Sequence, residues 1–172
     1  MTEKELERKF LDFLVHKKYY PRVSILTQVP LLAVKYDTVS YKRLIADLVV
    51  FDIETANYLA IFEFKAGDHG IATKDSAKQM KIYVEATGSP GLPAYLVVPY
   101  LKEDNDFLIF ILENDNWLPV EKEEFPDFAA LKSKTQADNR ISLEEKYFQK
   151  NANYRKRKSR SYLEFIVGLL LS

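Results

Sequence analysis

Residues 44–65 read LIADLVVFDIETANYLAIFEFK, two apolar runs joined by a short polar segment. Leu44–Asp52 and Tyr58–Lys65 are rich in branched and aromatic residues, which favours two β-strands. The short polar connection around Glu54–Asn57 joins them in the manner of a hairpin. Both runs are apolar enough to be central strands of a sheet.

Helices and further strands are predicted on both sides of this hairpin. Thr2–Lys17 has apolar residues at helical spacing and a capping-box pattern, with Thr2 as the N-cap and Glu5 three residues on. A second helical pattern covers Asp75–Thr87 and stops at Gly88. The other predicted elements are strands at Val23–Val29, Ala94–Tyr100 and Phe107–Glu113, and a turn at Asn114–Asn116. This order predicts an α/β sandwich with a mixed sheet.

The composition indicates one globular domain. The chain has 172 residues, 47% of them hydrophobic, which is enough for one sizeable core and too few residues for two ordinary domains. It contains no Cys, which excludes disulfides, thiolate zinc sites and cysteine nucleophiles and agrees with a cytoplasmic location. Lys and Arg (25) balance Asp and Glu (25), which counts modestly against non-specific coating of nucleic acid.

Two charged residues interrupt the second strand of the hairpin. Glu63 and Lys65 are two positions apart, so in a strand their side chains point to the same face. A carboxylate and an ammonium among Ile and Phe residues are costly unless they pair or bind a metal. The tripeptide pattern Glu-x-Lys also occurs in hydrophilic segments of this chain, and this copy differs because it lies in a buried strand. The position therefore indicates a functional site.

Asp47 interrupts the first strand and forms the other half of the candidate site. It faces Glu63 or Lys65 if the connection has an odd number of residues or if a β-bulge shifts the register. With that register, two carboxylates and an ammonium converge on one small cation, and such hard oxygen ligands suit Mg²⁺ or Mn²⁺. In phosphodiester hydrolysis, Asp47 and Glu63 would hold the metal, and Lys65 would position the attacking water and stabilise developing negative charge.

This combination of residues resembles the signature of the PD-(D/E)XK nucleases. Asp47 and Glu63-Phe64-Lys65 match the signature, and a hairpin joins the two strands that carry them. The next helix carries Gln79-Met80-Lys81-Ile82-Tyr83, which is similar to the Q-x-x-x-Y motif of one branch. That branch includes the N-terminal nuclease domain of the type I restriction enzyme motor subunit. Ala46 stands where the family name has Pro, at a position that varies in the family. The resemblance covers roughly Glu3 to Tyr100.

The resemblance implies a fold and a set of metal ligands. The implied fold is the restriction endonuclease-like three-layer sandwich, in which a central mixed β-sheet is flanked by helices. Asp47 and Glu63 become metal ligands, the backbone carbonyl of Phe64 becomes a third, and Lys65 becomes the catalytic lysine. Many members also place a Glu of the first helix at the metal, and Glu7 is the best match.

Three of the implied site residues have competing interpretations. Gln79 would lie beside the site and hold a water or the DNA backbone, and Tyr83 would support it or contact phosphate. Tyr83 also lies on the apolar stripe of its helix, where a purely structural role in the core is equally consistent. Glu7 fits a surface position as well, and Glu3 and Glu5 compete with it for the place at the metal.

The C-terminal part of the sequence carries two further features. Residues 154–160 read YRKRKSR, and they favour either contact with a nucleic-acid backbone or a solvated linker or helix face. The candidate contacts are Arg155, Lys156, Arg157 and Lys158. Tyr162–Leu171 is strongly apolar but too short to span a bilayer, which favours a docking helix over a membrane anchor. We therefore expect a nuclease-like domain at 1–150 and a docking or linker segment at 151–172.

Together these features predict a Mg²⁺-dependent endonuclease domain of restriction or defence type that acts on DNA. The predicted partners are DNA and a specificity or motor (helicase) component or a downstream domain. Double-strand cleavage with one site per subunit would imply a homodimer. The alternative function is that of a catalytically inactive nucleic-acid-binding or assembly module with the same fold. Cleavage that depends on Lys65 separates the two functions.

Overall fold

The structure is a computed structural model that describes residues 1–35, 40–66, 74–89, 91–100, 102 and 106–134, with the backbone alone for 32–35 and 40–43. Its elements are α1 (Glu3–His16), a 3-10 helix (Arg22–Ser24), β1 (Ile25–Lys35), β2 (Ser40–Phe51), β3 (Tyr58–Phe64), α2 (Lys74–Ala86), β4 (Ala94–Tyr100), β5 (Asp106–Glu113) and β6 (Asn116–Val120). Residues 128–134 are also helical.

The chain divides into two compact units, Met1–Ser133 and Lys134–Ser172. All of the described residues except Lys134 belong to the first unit. The predicted boundary after residue 150, the basic run and the apolar C-terminal segment lie outside the described residues.

Six strands form one mixed sheet, in the order β1-β2-β3-β4-β5-β6. Neighbouring strands are antiparallel except for β3 and β4, which are parallel. A parallel pair requires a crossover connection, and α2 lies between β3 and β4 in the chain. The prediction of an α/β fold with a mixed sheet is confirmed.

The sheet has a hydrophobic core on each face. Phe62 and Phe64 of β3 pack in one cluster with the α1 residue Phe10, and Ile61 packs in the other with the α2 residue Met80. Neighbouring strand residues point to opposite faces, so α1 lies on one side of the sheet and α2 on the other. Glu63, two residues from Ile61, therefore faces α2.

Helix α1 begins with the predicted capping box. The backbone N–H of Glu5 donates to Thr2 Oγ1 at 3.3 Å, and the backbone N–H of Thr2 donates to Glu5 Oε2 at 2.7 Å. The Thr2 N–H and the Thr2 hydroxyl both donate to this carboxylate, and these two bonds lower the pKa of Glu5. The Glu5 carboxylate is therefore used at the helix terminus, which leaves Glu3 and Glu7 as the acidic residues of the first two turns that are available to the candidate site.

Three strands differ from their prediction, and the first of them is β2, which begins at Ser40 and not at Leu44. β1 continues through Pro30, which pairs with Ile45, because β1 is an edge strand and a missing N–H is tolerated there. β6 was not predicted. It follows a two-residue turn in which Asn114 and Asp115 have φ of +48° and +68°, the conformation of a tight hairpin turn.

Candidate active site

The register of the β2–β3 hairpin places Asp47 across from Glu63. The antiparallel ladder ends at the pair of Leu48 with Phe62, and the same register continued by one position aligns the two acidic residues. Opposed residues in an antiparallel pair have side chains on the same face. The side chains of Asp47 and Glu63 therefore lie on the same face, which is the condition for a shared site.

A β-bulge near the turn sets this register. Val50 pairs with Ala60, but the next residue, Phe51, pairs with Tyr58, so Leu59 is an extra residue on β3. The connection covers residues 52–57. It therefore has an even number of residues, and it is longer than the predicted connection around Glu54–Asn57. Without the bulge, an even connection would have put the two carboxylates on opposite faces. The bulge supplies the shift on which the candidate site depends.

Glu63 and Lys65 form an ion pair at the buried end of β3. Lys65 Nζ lies 2.6 Å from Glu63 Oε1, and the side chains are 39% and 9% exposed. The second carboxylate oxygen, Glu63 Oε2, is buried and accepts no hydrogen bond from any residue that the structure describes. A buried oxygen without a partner costs free energy, so this atom marks a place where a cationic or hydrogen-donating ligand would be favourable.

The protonation of this ion pair reflects burial and neighbouring charge. Burial raises the pKa of Glu63 to about 7; Lys65 opposes this shift, whereas the charge of Asp47 and a hydrogen bond between the two carboxyl groups add to it. Burial alone would lower the pKa of Lys65, but the hydrogen bond and charge of Glu63, together with the charge of Asp47, raise it. The lysine is therefore held as an ammonium, while the ionised form of Glu63 is disfavoured until a cation compensates it.

Asp47 is held by the backbone of β3. Its Oδ2 accepts a hydrogen bond from the N–H of Phe64 at 2.8 Å. On its other side, Asp47 lies across from Gln28 of β1, between the pairs Thr27 with Leu48 and Val29 with Ala46, and Gln28 has φ of +54°. The site therefore lies where the β1–β2 ladder is locally irregular. The Phe64 ring packs in the α1 core, and a role for its carbonyl in metal binding stays a prediction.

Helix α1 directs its first turns toward this site. The ring of Phe10 lies 5.7 Å from that of Phe64, and Glu7 is one turn earlier on the helix. Burial and then the charge of Asp47 raise the pKa of Glu7. Among the described residues, however, no group of three or more His, Cys, Asp or Glu could hold a metal ion, so Glu7 is near Asp47 without completing a three-carboxylate cluster.

Gln79 and Tyr83 of α2 complete the surroundings of the ion pair. Gln79 Nε2 donates to the Tyr83 hydroxyl at 2.9 Å, and Tyr83 is 7% exposed. Both residues line a small cavity together with Glu63 and Lys65. Burial raises the pKa of Tyr83, and the charge of Glu63 adds to the effect. Tyr83 is thus a core residue whose hydroxyl also orients a polar side chain of the candidate site.

Trp117 is a residue of the site that the sequence did not indicate. Its Nε1 donates to Ser76 Oγ at 2.9 Å, and both residues line the same small cavity. The bond joins β6 to the first turn of α2. Trp117 is the single Trp of the chain, but it lies in a strand that was not predicted, so no signal connected it to Glu63.

Four predicted nucleic-acid contacts, Arg155, Lys156, Arg157 and Lys158, lie outside the described residues. None of the helices in the described part of the chain combines the length and the apolar character that crossing a bilayer requires.

Comparisons of the chain with protein-family models, with curated proteins and with solved structures gave no match.

Proposed function

We propose that this chain is a metal-dependent nuclease domain of the PD-(D/E)XK type, with a restriction endonuclease-like fold, that hydrolyses phosphodiester bonds of DNA. One observation supports the proposal most. Glu63 has a buried carboxylate oxygen that accepts no hydrogen bond from the described residues, and it lies across from Asp47 and beside the Lys65 ammonium. A structural ion pair does not require a second carboxylate beside it, whereas a bound cation does.

The residues at this position fit a divalent cation. Asp47 and Glu63 would hold Mg²⁺ or Mn²⁺, with the Phe64 carbonyl and Glu7 as further predicted ligands. Mg²⁺ commonly takes one or two carboxylates and keeps several waters, so two side chains are a sufficient donor set. A bound metal would polarise the scissile phosphate and lower the pKa of a coordinated water.

The other residues contribute charge and orientation. Lys65 carries its proton and lies 39% exposed, so its ammonium can interact with both Glu63 and a phosphate that approaches from solvent. Gln79 is oriented by the Tyr83 hydroxyl and can hold a water or a phosphate oxygen. Burial of Glu63 limits the access of water and strengthens these interactions.

The biological setting follows from the same proposal. A restriction or defence role, a cytoplasmic location and a specificity or motor partner would suit a small nuclease domain of this type. The basic segment at residues 155–158 would add contacts to the DNA backbone.

A second candidate function is that of a catalytically inactive nucleic-acid-binding or assembly module. It is favoured because both carboxylates already have partners within the protein. Asp47 accepts from the Phe64 N–H, and Glu63 is paired with Lys65. An inactive relative of a nuclease would retain such internal contacts while losing metal affinity.

Cleavage of DNA separates these two functions. Supercoiled plasmid and single-stranded circular DNA are incubated with the full chain and Mg²⁺ or Mn²⁺, and products are resolved by gel electrophoresis. The nuclease function predicts cleavage that is abolished in Lys65→Ala. Lys81→Ala is the matched control, because Lys81 is also partly exposed and paired, with Asp115, but lies away from Glu63. Cleavage that survives in Lys65→Ala would contradict the proposal.

Metal binding provides a measurement that does not depend on turnover. Calorimetric titration with Mn²⁺ is expected to show one class of site in the wild type and a loss of affinity of at least about tenfold in Asp47→Asn. A wild-type protein that binds no divalent ion and cleaves no DNA, but retains affinity for nucleic acid, would support the inactive module.

A further inference from the structure

The β1–β2 ladder is interrupted at one position, where Gln28 lies across from Asp47. The regular pairs on either side of this position keep the same register: Thr27 with Leu48 and Val29 with Ala46. An extra residue on one strand would shift the register. The irregularity therefore changes the conformation of the two strands and not their alignment.

Both strands change faces at this position. In a regular strand, residues separated by an even number of positions share a face. Ala46 packs in the core on the α2 side, yet Leu48 packs in the core on the α1 side. In β1, Ile25 packs on the α1 side and Leu31 on the α2 side. The alternation of side chains is therefore reversed in each strand, and the pairing places both reversals at Gln28 and Asp47.

The backbone of Gln28 accounts for the reversal in β1. Its φ is +54°, in the left-handed region that residues other than glycine rarely adopt. Strand residues have strongly negative φ, so one residue with positive φ turns the chain and breaks the alternation. The Gln28 side chain is exposed, so burial of that side chain does not impose the conformation. Conformations of this kind are concentrated at functional sites, where the surrounding structure maintains them.

The Asp47 carboxylate takes the place of a backbone acceptor at this position. The β2–β3 ladder ends at the pair of Leu48 with Phe62, and the Phe64 N–H beyond it donates to Asp47 Oδ2 at 2.8 Å. If β2 continued the alternation of Leu44 and Ala46, Asp47 would lie on the α1 face, away from Glu63. The reversal therefore decides whether the two carboxylates share a face.

We propose that Gln28 is a positioning residue of the candidate site. Its left-handed backbone lets β1 follow the turn of β2, and this holds the Asp47 carboxylate on the Phe64 N–H and across from Glu63. The consequence for metal binding rests on the proposed nuclease function. The hydrogen bond between Asp47 and Phe64 is a property of the folded chain alone, so it can be tested separately.

Substitutions at position 28 separate the backbone from the side chain. Glycine adopts positive φ without strain, whereas a β-branched residue does so only at a large cost. Gln28→Gly should therefore preserve the site and Gln28→Val should disturb it, although both remove the same carboxamide. Leu26→Val is the matched control, because Leu26 is exposed on the same strand and lies in the regular part of the ladder. Gln28→Thr, with a polar β-branched side chain, replaces Gln28→Val where the latter does not fold.

Hydrogen exchange of the Phe64 amide, followed by NMR in the full chain without metal, measures the bond to Asp47. The Ile61 amide, which donates to the Pro93 carbonyl at 3.0 Å, is the internal reference for a change in overall stability. Relative to Ile61, exchange of Phe64 is expected to be at least about tenfold faster in Gln28→Val. In Gln28→Gly and Leu26→Val, this ratio should change by less than about twofold.

Calorimetric titration with Mn²⁺ measures the consequence for the site. The dissociation constant is expected to rise at least about tenfold in Gln28→Val and less than about twofold in Gln28→Gly. A role of Gln28 in stability alone would lower the urea midpoint of Gln28→Val and leave the Mn²⁺ affinity of the folded protein unchanged.

Three results would overturn the inference. The first is a ratio of Phe64 to Ile61 exchange that Gln28→Val leaves at the wild-type value, and the second is a ratio that Gln28→Gly raises as much as Gln28→Val. The third is unchanged Mn²⁺ affinity in a Gln28→Val protein whose Phe64 amide exchanges fast. Failure of the proposed function has a different signature, because a wild type that binds no Mn²⁺ and cleaves no DNA would still show Phe64 exchange that depends on residue 28.

Discussion

Replacement of Glu63 by Gln should change how the stability of the protein depends on pH. The pKa of Glu63 is about 7 in the folded protein, against 4.5 for an ordinary glutamate. A carboxyl group whose pKa is raised by folding binds its proton more tightly in the folded state. Its contribution to stability is therefore fully present below about pH 4.5 and is lost as the pH rises through 7.

The size of this effect follows from the raised pKa. Each pKa unit corresponds to about 1.4 kcal/mol, so the free energy of unfolding of the wild type should fall by about 3 kcal/mol between pH 4.5 and pH 8. The Glu63 side chain is only 9% exposed, so solvent screening removes little of this difference. Gln has nearly the same shape and no charge, so Glu63→Gln should lack the fall.

Urea unfolding followed by the fluorescence of Trp117, the single Trp, measures this prediction at several pH values. The two His residues of the chain also titrate in this range, but they are common to both proteins and cancel in the difference. Glu85→Gln is the control, because Glu85 is exposed on α2. Added Mg²⁺ should restore stability at pH 8 in the wild type and not in Glu63→Gln, since ligands bind the ionised carboxylate.

A constant difference in unfolding free energy between wild type and Glu63→Gln from pH 4.5 to pH 8 would refute this reasoning. It would mean that Glu63 ionises normally, so that its unpartnered oxygen is solvated in solution. A bound cation would then offset no unfavourable burial of charge at Glu63.

Three further substitutions test other parts of the structure. Asp52→Asn should destabilise the protein by about 2 kcal/mol at pH 7, because the bonds of Asp52 to Lys132 and the turn need the carboxylate. The loss should be constant down to the ordinary aspartate pKa of 3.8 and shrink progressively below it, because the folded-state pKa is lowered; urea unfolding over a series of acidic pH values measures this. Tyr83→Phe should change stability by less than about 1 kcal/mol but slow DNA cleavage about tenfold, because Gln79 loses its hydrogen-bond partner. Unchanged cleavage would mean that Tyr83 serves only in the core. Thr2→Ala should cost about 1 kcal/mol of unfolding free energy through loss of the helix cap, with no effect on metal affinity.

Features that depend on neighbouring residues could be predicted from the sequence. The capping box of α1 joins Thr2 and Glu5, which are three residues apart, so the pattern can be recognised without the fold. The two central strands can be predicted because apolar residues, more than half of them β-branched or aromatic, fill most of their positions. Because the neighbouring residues are apolar, Asp47 and Glu63 are expected in a buried sheet, where charged side chains are unusual.

The β-bulge could not be predicted, although the candidate site depends on it. Tyr58, Leu59 and Ala60 all suit a strand, so the sequence does not show which residue is extra. In the structure, the adjacent residues Leu59 and Ala60 both belong to the core on the α1 face. Packing against α1 therefore selects the bulge, and that contact joins residues far apart in the chain.

Contacts between distant segments were also beyond prediction. The Lys18 ammonium donates to the carbonyls of Glu123 and Phe125, and the Tyr20 hydroxyl donates to the carbonyl of Pro126 at 3.0 Å. These bonds hold the segment after β6 against the end of α1. Each uses a backbone carbonyl as acceptor, and any residue type supplies one, so no sequence pattern marks it.

Asp52 and Glu63 show what distinguishes a structural carboxylate from a candidate functional one. Both are buried, at 1% and 7% exposure, in the same hairpin. Asp52 accepts hydrogen bonds from the Glu54 N–H and the Thr55 hydroxyl and pairs with Lys132, and these partners lower its pKa. Among the described residues, Glu63 is ion-paired with Lys65, one of its oxygens accepts no hydrogen bond, and burial and the neighbouring Asp47 carboxyl raise its pKa. The chain can thus satisfy a buried carboxylate fully, and the incomplete set of donors at Glu63 supports the proposal of a cation at this position.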